Sequence, residues 1–156
     1  MAGIGNIFLS DDGFDASDAA KIGGDSLLKG AGTYFSTVSG PASVYPGTAK
    51  FIADFKAKFN SEPQPFAAQS YDCAAIALKA IENAYVAAGK KLPARADVTK
   101  AVRDLKDFQG ITGTMNFNAK GDLTKAKYFI IQVTSADPAG WSSNKIDQTL
   151  EIEPPQ

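Results

Sequence analysis

The first forty residues constrain the fold class most, because they alternate strand and helix signals. Residues 4–9 are a short apolar run typical of a buried strand, and the β-branched and aromatic residues 33–38 indicate a second strand. Between them we predict a helix that is capped by Asp15, is weakened by two glycines, and ends at Gly30. A strand–helix–strand unit aligns its strands in parallel through a right-handed crossover. The sequence therefore predicts an α/β protein with βαβ units.

Helical patterns dominate the middle of the chain. The first of them carries Phe51, Phe55 and Phe59 on one face and ends before Pro63. A short third helix is predicted after the long one, with Asp97 as its cap.

The longest predicted helix covers about residues 66–88 and is apolar on two sides. One side is a stripe at alternating spacings of three and four residues: Tyr71, Ala74, Leu78, Ile81 and Tyr85. The second side carries Cys73, Ile76, Ala77 and Ala80. We therefore expect this helix to be packed from two directions, with Tyr71, Tyr85 and Cys73 in the core.

Strand signals return in the last third of the chain. Residues 110–117 alternate apolar and polar side chains, residues 118–122 are turn formers, and residues 127–134 are again apolar and β-branched. We expect the two strands to form a hairpin or a neighbouring pair. The last twenty residues show a less regular pattern.

Composition excludes several classes of function. The 156 residues contain no histidine, so neither a Ser-His-Asp triad nor an imidazole metal site can be built. The single cysteine, Cys73, cannot form an internal disulfide or a thiolate zinc site. With 16 basic and 17 acidic residues, the chain has a net charge of −1 and therefore no positive electrostatic field that would attract nucleic acid or anionic lipid. No apolar stretch approaches 18 residues, so we expect no membrane insertion. We also expect no cofactor and, without a nucleophile–base pair, no enzyme activity.

Several motifs occur in an order that resembles one protein family. They are FLSDDGF at residues 8–14, YDCA at residues 71–74, and FQGITGTMNFN-x-x-GD at residues 108–122. Over about residues 4–134 the chain resembles the extracytoplasmic solute-binding proteins of ABC importers, of the branched-chain amino acid (Leu/Ile/Val) type. The resemblance implies a two-lobed, periplasmic-binding-protein-like α/β fold of which this chain holds the C-terminal portion.

The resemblance also implies a division of the chain and a role for it. Residues 1–37 would belong to the second lobe, residues 38–129 would return to the first, and residues 130–156 would form the hinge crossing and the tail of the second lobe. The protein would capture an amino acid for an ABC permease in the periplasm or elsewhere outside the cytoplasm. The opening residues 1–6 themselves show no signal-peptide pattern.

The ligand-binding residues implied by the resemblance are Asp12, Gly13 and Phe14. Asp12 follows a predicted strand at its carboxyl end, where open α/β sheets bind ligands, and its carboxylate would accept a hydrogen bond from the ammonium of the ligand. Alternatively, Asp12 shapes the turn with Gly13, and Phe14 packs that turn against the helix. The acidic residues at positions 11, 12, 15 and 18 lack the spacing of a calcium loop, so we expect no metal site.

A second hypothesis makes the chain a structural or interaction domain that binds no solute. The helices predicted at residues 47–59 and 66–88 are apolar enough to need a sheet to cover. Without such a sheet, an upstream lobe segment, a second copy of the chain or a rearrangement must bury them. We therefore expect a complex with the upstream segment, a homo-oligomer or a strand-exchanged pair.

Overall fold

The computed structural model describes residues 7–9, 18–29 and 32–155. Its strands are β1 (Ile7–Leu9), β2 (Thr33–Thr37), β3 (Phe108–Gln109), β4 (Thr114–Met115), β5 (Ala126–Gln132) and β6 (Lys145–Ile152). Its α-helices are α1 (Asp18–Gly23), α2 (Ala49–Phe59), α3 (Ala67–Ala87) and α4 (Arg95–Arg103). Short 3₁₀ segments occupy Gly24–Leu28, Ala42–Val44, Pro46–Thr48 and Pro138–Ser143.

Four of the strands form one sheet in the order β1-β2-β5-β6. Strand β1 runs parallel to β2, with Leu9 opposite Phe35, which confirms the predicted βαβ unit. Strand β5 runs antiparallel to β2, with Phe129 opposite Thr37. The helix inside the βαβ unit is short, as its glycines predict, because the chain tightens to a 3₁₀ segment at Gly24, whose φ is 48°.

The chain divides into two compact units. The first contains the described residues up to Val44 together with Gln64–Phe66 and Lys127–Ile152, and therefore most of the four-stranded sheet. Its core is built on Phe35, whose ring is stacked on that of Trp141 with the centroids 5.9 Å apart. Phe129, Ile131 and Val133 are buried in the same unit.

The second unit comprises Tyr45–Pro63, Ala67–Ala126 and the end of the chain. It holds α2, α3 and α4 and a hairpin of β3 and β4. Helix α3 packs against α4 and buries a row of residues spaced by four: Ala68, Asp72, Ile76, Ala80 and Ala84. The assignment of residues 1–37, 38–129 and 130–156 to two lobes stays a prediction.

Two expectations about the strands are wrong. Residues 110–117 do not pair with residues 127–134, because Gly110 donates a backbone hydrogen bond to Gly113 and the chain reverses there. The reversal pairs β4 with β3, whereas β5 joins the large sheet between β2 and β6. The last twenty residues are also more regular than expected, since β6 spans eight of them.

The expectations about the surface of α3 are wrong as well. Tyr71, Leu78 and Tyr85 are exposed, and so is Cys73. The alternating stripe therefore faces solvent, and the buried face is the row spaced by four residues.

The predicted cap of α4 is also wrong. Asp97 is not the cap itself but lies three residues after it, where its carboxylate accepts a hydrogen bond from the backbone N–H of Ala94.

Candidate functional site

The carboxyl edge of the parallel strand pair is the first place where this fold offers a ligand site. Strands β1 and β2 run in the same direction, so their carboxyl ends, Leu9 and Thr37, lie at the same edge of the sheet. Open α/β sheets bind ligands at that edge. The predicted site residues Asp12, Gly13 and Phe14 follow β1 closely in the sequence, but they lie outside the described residues. Their role stays a prediction.

At the end of β2, Ser39 connects this edge to a distant segment. The Ser39 backbone N–H donates to Thr37 Oγ1 at 3.0 Å, and both residues are buried. Ser39 Oγ in turn accepts a hydrogen bond from the backbone N–H of Phe66 at 2.7 Å. These two hydrogen bonds fix the backbone of Phe66 relative to the carboxyl end of β2.

Phe66 has an unusual backbone conformation. Its φ is 67°, in the left-handed region that bulky residues rarely adopt, while its side chain is 36% exposed. Such a conformation costs on the order of 1–3 kcal/mol and is concentrated at functional sites. Phe66 is therefore a candidate ligand contact that the sequence analysis missed, because no sequence pattern predicts a positive φ at a phenylalanine.

A buried carboxylate in the second unit also stands out. Asp72, on α3, is 2% exposed and accepts hydrogen bonds from Ile111 N at 2.8 Å, Thr112 N at 2.9 Å and Thr112 Oγ1 at 2.6 Å. Gly110 lies so close that a Cβ there would approach Asp72 Oδ2 to 2.5 Å. These contacts explain physically why the YDCA and FQGITGT motifs occur together: Asp72 holds the loop at residues 110–112 against α3. Asp72 is a positioning residue for that loop.

Other charged residues are paired on the surface. A hydrogen bond from Lys50 to Asp54 raises the pKa of the fully exposed Lys50, and Asp18, from the acidic cluster, pairs with Lys21 at 2.7 Å. A groove of about 460 Å³ between α3 and α4 is lined by alanines and by the Lys100–Asp104 ion pair.

Within residues 7–9, 18–29 and 32–155 there is no group of three acidic or cysteine side chains able to hold a metal ion. Asp11, Asp12 and Asp15 lie outside those ranges.

A family model for periplasmic binding proteins matches residues 2–138. This chain belongs to the periplasmic binding protein family. The family assignment made from the motifs at residues 8–14, 71–74 and 108–122 is thereby confirmed. A search of curated protein sequences finds no match to this periplasmic binding protein.

Solved structures agree with the periplasmic-binding-protein fold. The leucine binding protein LivK of Thermotoga maritima has a TM-score of 0.70 at 24% identity, over 92% of this chain and 37% of its own. A second similar structure is LivJ of Streptococcus pneumoniae, a branched-chain amino acid transporter substrate binding protein in complex with isoleucine. Its TM-score is 0.62 at 20% identity, and the match covers 92% of this chain and 36% of LivJ. An ABC transporter substrate-binding protein of Desulfitobacterium hafniense in complex with Leu has a TM-score of 0.60 at 16% identity. This match covers 86% of this chain and 42% of the Desulfitobacterium hafniense chain.

These comparisons confirm the predicted α/β fold class. The chain spans less than half the length of each of these structures. In the part of this periplasmic binding protein that the structure describes, no helix is long and apolar enough to cross a bilayer.

Proposed function

We propose that this chain is part of an extracytoplasmic solute-binding protein that captures an amino acid of the branched-chain type for an ABC importer. The observation that carries the proposal is the family match over residues 2–138. The branched-chain class is supported by similar structures that are described as leucine-binding or are in complex with isoleucine or leucine. The chain spans 37% of the Thermotoga maritima structure, so the ligand and the permease partner of the whole protein are part of the proposal.

We place the ligand at the carboxyl edge of β1 and β2. Asp12, which follows β1, would accept a hydrogen bond from the ammonium group of the amino acid, since a charge-assisted bond is stronger than a neutral one. Phe14 and Phe66 would contact its apolar side chain. Two observations support this arrangement: the parallel register of the two strands, and the strained Phe66 backbone held by Ser39.

Thermal unfolding with a panel of amino acids tests binding directly. We expect leucine, isoleucine or valine at a hundred times its dissociation constant to stabilise the chain by about 2.7 kcal/mol. For a chain of this size that is a rise in Tm of about 5–10 °C. Aspartate and lysine are the matched controls, because an apolar pocket rejects their charged side chains. A cooperative transition that none of these ligands shifts would show that the 156 residues do not bind a branched-chain amino acid on their own.

Replacing Asp12 by alanine tests its role in the site. We expect the affinity for leucine, measured by isothermal titration calorimetry, to fall by about 2–3 kcal/mol, because the ligand ammonium loses its charged partner. Asp11→Ala is the matched control, since it removes the same charge from the neighbouring residue. Equal losses in both variants, or none in Asp12→Ala, would remove Asp12 from the site.

A further inference from the structure

Phe66 carries a large side chain at a backbone position that does not favour one. Its φ of 67° lies in the left-handed region, which glycine adopts without steric cost and in which a bulky residue is strained. The ring is not fully buried in exchange, since the residue is 36% exposed. The turn alone would be less strained with a glycine, so a phenylalanine at this position points to a role for its ring beyond the turn.

The hydroxyl of Ser39 helps to hold this conformation. Ser39 Oγ accepts a hydrogen bond from the backbone N–H of Phe66 at 2.7 Å, across 27 positions of the sequence, and both residues belong to the first unit. The bond fixes the peptide plane before Phe66, and α3, which begins at Ala67, fixes the chain after it. The φ of Phe66 therefore cannot relax unless one of these two constraints is lost.

Ser39 is itself rigidly placed. It is 2% exposed, and its backbone N–H donates to Oγ1 of Thr37, the last residue of β2. The next residue, Gly40, is packed so closely that a Cβ there would lie 2.9 Å from Val44 Cγ2 and 3.1 Å from Phe129 Cε2. The Ser39 hydroxyl is thus a fixed point in the core of the first unit.

We propose that Ser39 is a positioning residue of the ligand site, which holds Phe66 in the conformation that brings its ring to the apolar side chain of the ligand. This inference deepens the proposed function and rests on it, because it needs a ligand at the carboxyl edge of β1 and β2. Without the hydrogen bond, Phe66 returns to an ordinary negative φ, a rotation on the order of 100° that moves the ring. Binding then has to restore the strained conformation, and the apparent affinity falls with the fraction of molecules that hold it.

Isothermal titration calorimetry with leucine tests the role of the hydroxyl. We expect Ser39→Ala to weaken leucine binding by about 10-fold. Ser39→Cys keeps the shape of the side chain but offers only a weak hydrogen-bond acceptor, so it should weaken binding nearly as much. Ser43→Ala is the matched control, because Ser43 is an exposed serine of the same segment, and its affinity should be unchanged. If Ser39→Cys binds leucine as tightly as the unmodified chain, the hydrogen bond does not position Phe66.

A double-mutant cycle separates positioning from a general effect on the fold. In a Phe66→Ala chain there is no ring to position, so adding Ser39→Ala should not weaken leucine binding any further. The free energy of unfolding in urea should fall by the same amount in both backgrounds, because the backbone N–H at position 66 loses its acceptor in each. Losses of affinity that simply add would overturn the positioning role.

Hydrogen exchange of the Phe66 amide measures the hold of Ser39 without any ligand. We expect this amide to exchange at least about 10-fold faster in Ser39→Ala than in the unmodified chain, since its hydrogen bond is lost. Equal exchange rates in the two chains would overturn the proposal. An unmodified chain that binds no leucine contradicts the proposed function and the role of Ser39 together, whereas equal leucine affinity in the unmodified and Ser39→Ala chains contradicts the role of Ser39 alone.

Discussion

Replacing Asp72 by alanine is expected to lower the free energy of unfolding by about 3 kcal/mol. The carboxylate is buried and accepts three hydrogen bonds from Ile111 and Thr112. Removing it leaves those donors unpaired, at about 1–3 kcal/mol for each one that water does not reach. Urea unfolding followed by far-UV circular dichroism measures the loss, since α2, α3 and α4 all belong to the unit that contains Asp72.

Two further substitutions isolate the contribution of the Asp72 hydrogen bonds. Asp54→Ala removes an exposed carboxylate that pairs with Lys50, and should cost less than about 1 kcal/mol. Asp72→Asn keeps one acceptor oxygen but turns an N–H group toward the donors of the loop, so its loss should approach that of Asp72→Ala. If Asp72→Ala is no more destabilising than Asp54→Ala, Asp72 does not hold the loop at residues 110–112.

Replacing Trp141 by alanine should lower the free energy of unfolding of the first unit by at least as much. The Trp141 side chain is 4% exposed and is stacked on Phe35. Truncating a buried aromatic side chain to alanine costs about 3–5 kcal/mol, because transfer energy is lost and a cavity remains. The midpoint of thermal unfolding, again measured by circular dichroism, should fall by about 10 °C.

Trp141→Phe serves as the matched variant for this position. A phenylalanine keeps the ring that stacks on Phe35 and leaves a smaller cavity, so most of the stability should be retained. If both variants lower the midpoint equally, the stacked pair is not what stabilises the core of the first unit.

Sequence patterns predicted the elements with strong local signals. Phenylalanines at helical spacing located α2, and the two apolar faces predicted over residues 66–88 located α3. The parallel pairing of β1 and β2 followed from the order strand, helix, strand. These features are encoded within a few neighbouring residues.

Features that depend on distant contacts could not be predicted in this way. The two apolar faces of α3 predicted burial on both sides, whereas only the row spaced by four residues is buried, where Asp72 bonds to residues about 40 positions away. The pairing predicted for residues 110–117 is wrong because the alternation of apolar and polar side chains does not show that the chain reverses between Gly110 and Gly113. For the ligand site, Asp12 remains a prediction from the sequence, whereas Phe66 required a backbone angle.

The pairing of β2 with β5 sets an order for folding. Thr37 must meet Phe129, and closing a loop on the order of 90 residues costs about 4 kcal/mol of chain entropy. Most of that loop is the second unit, so its prior folding would shorten the distance the strands have to search. During synthesis β2 leaves the ribosome before the helical unit, and β5 and β6 leave after it, so β2 is exposed before its partner strand is made. We infer that the large sheet is the slow, late step, because it depends on contacts of high sequence separation.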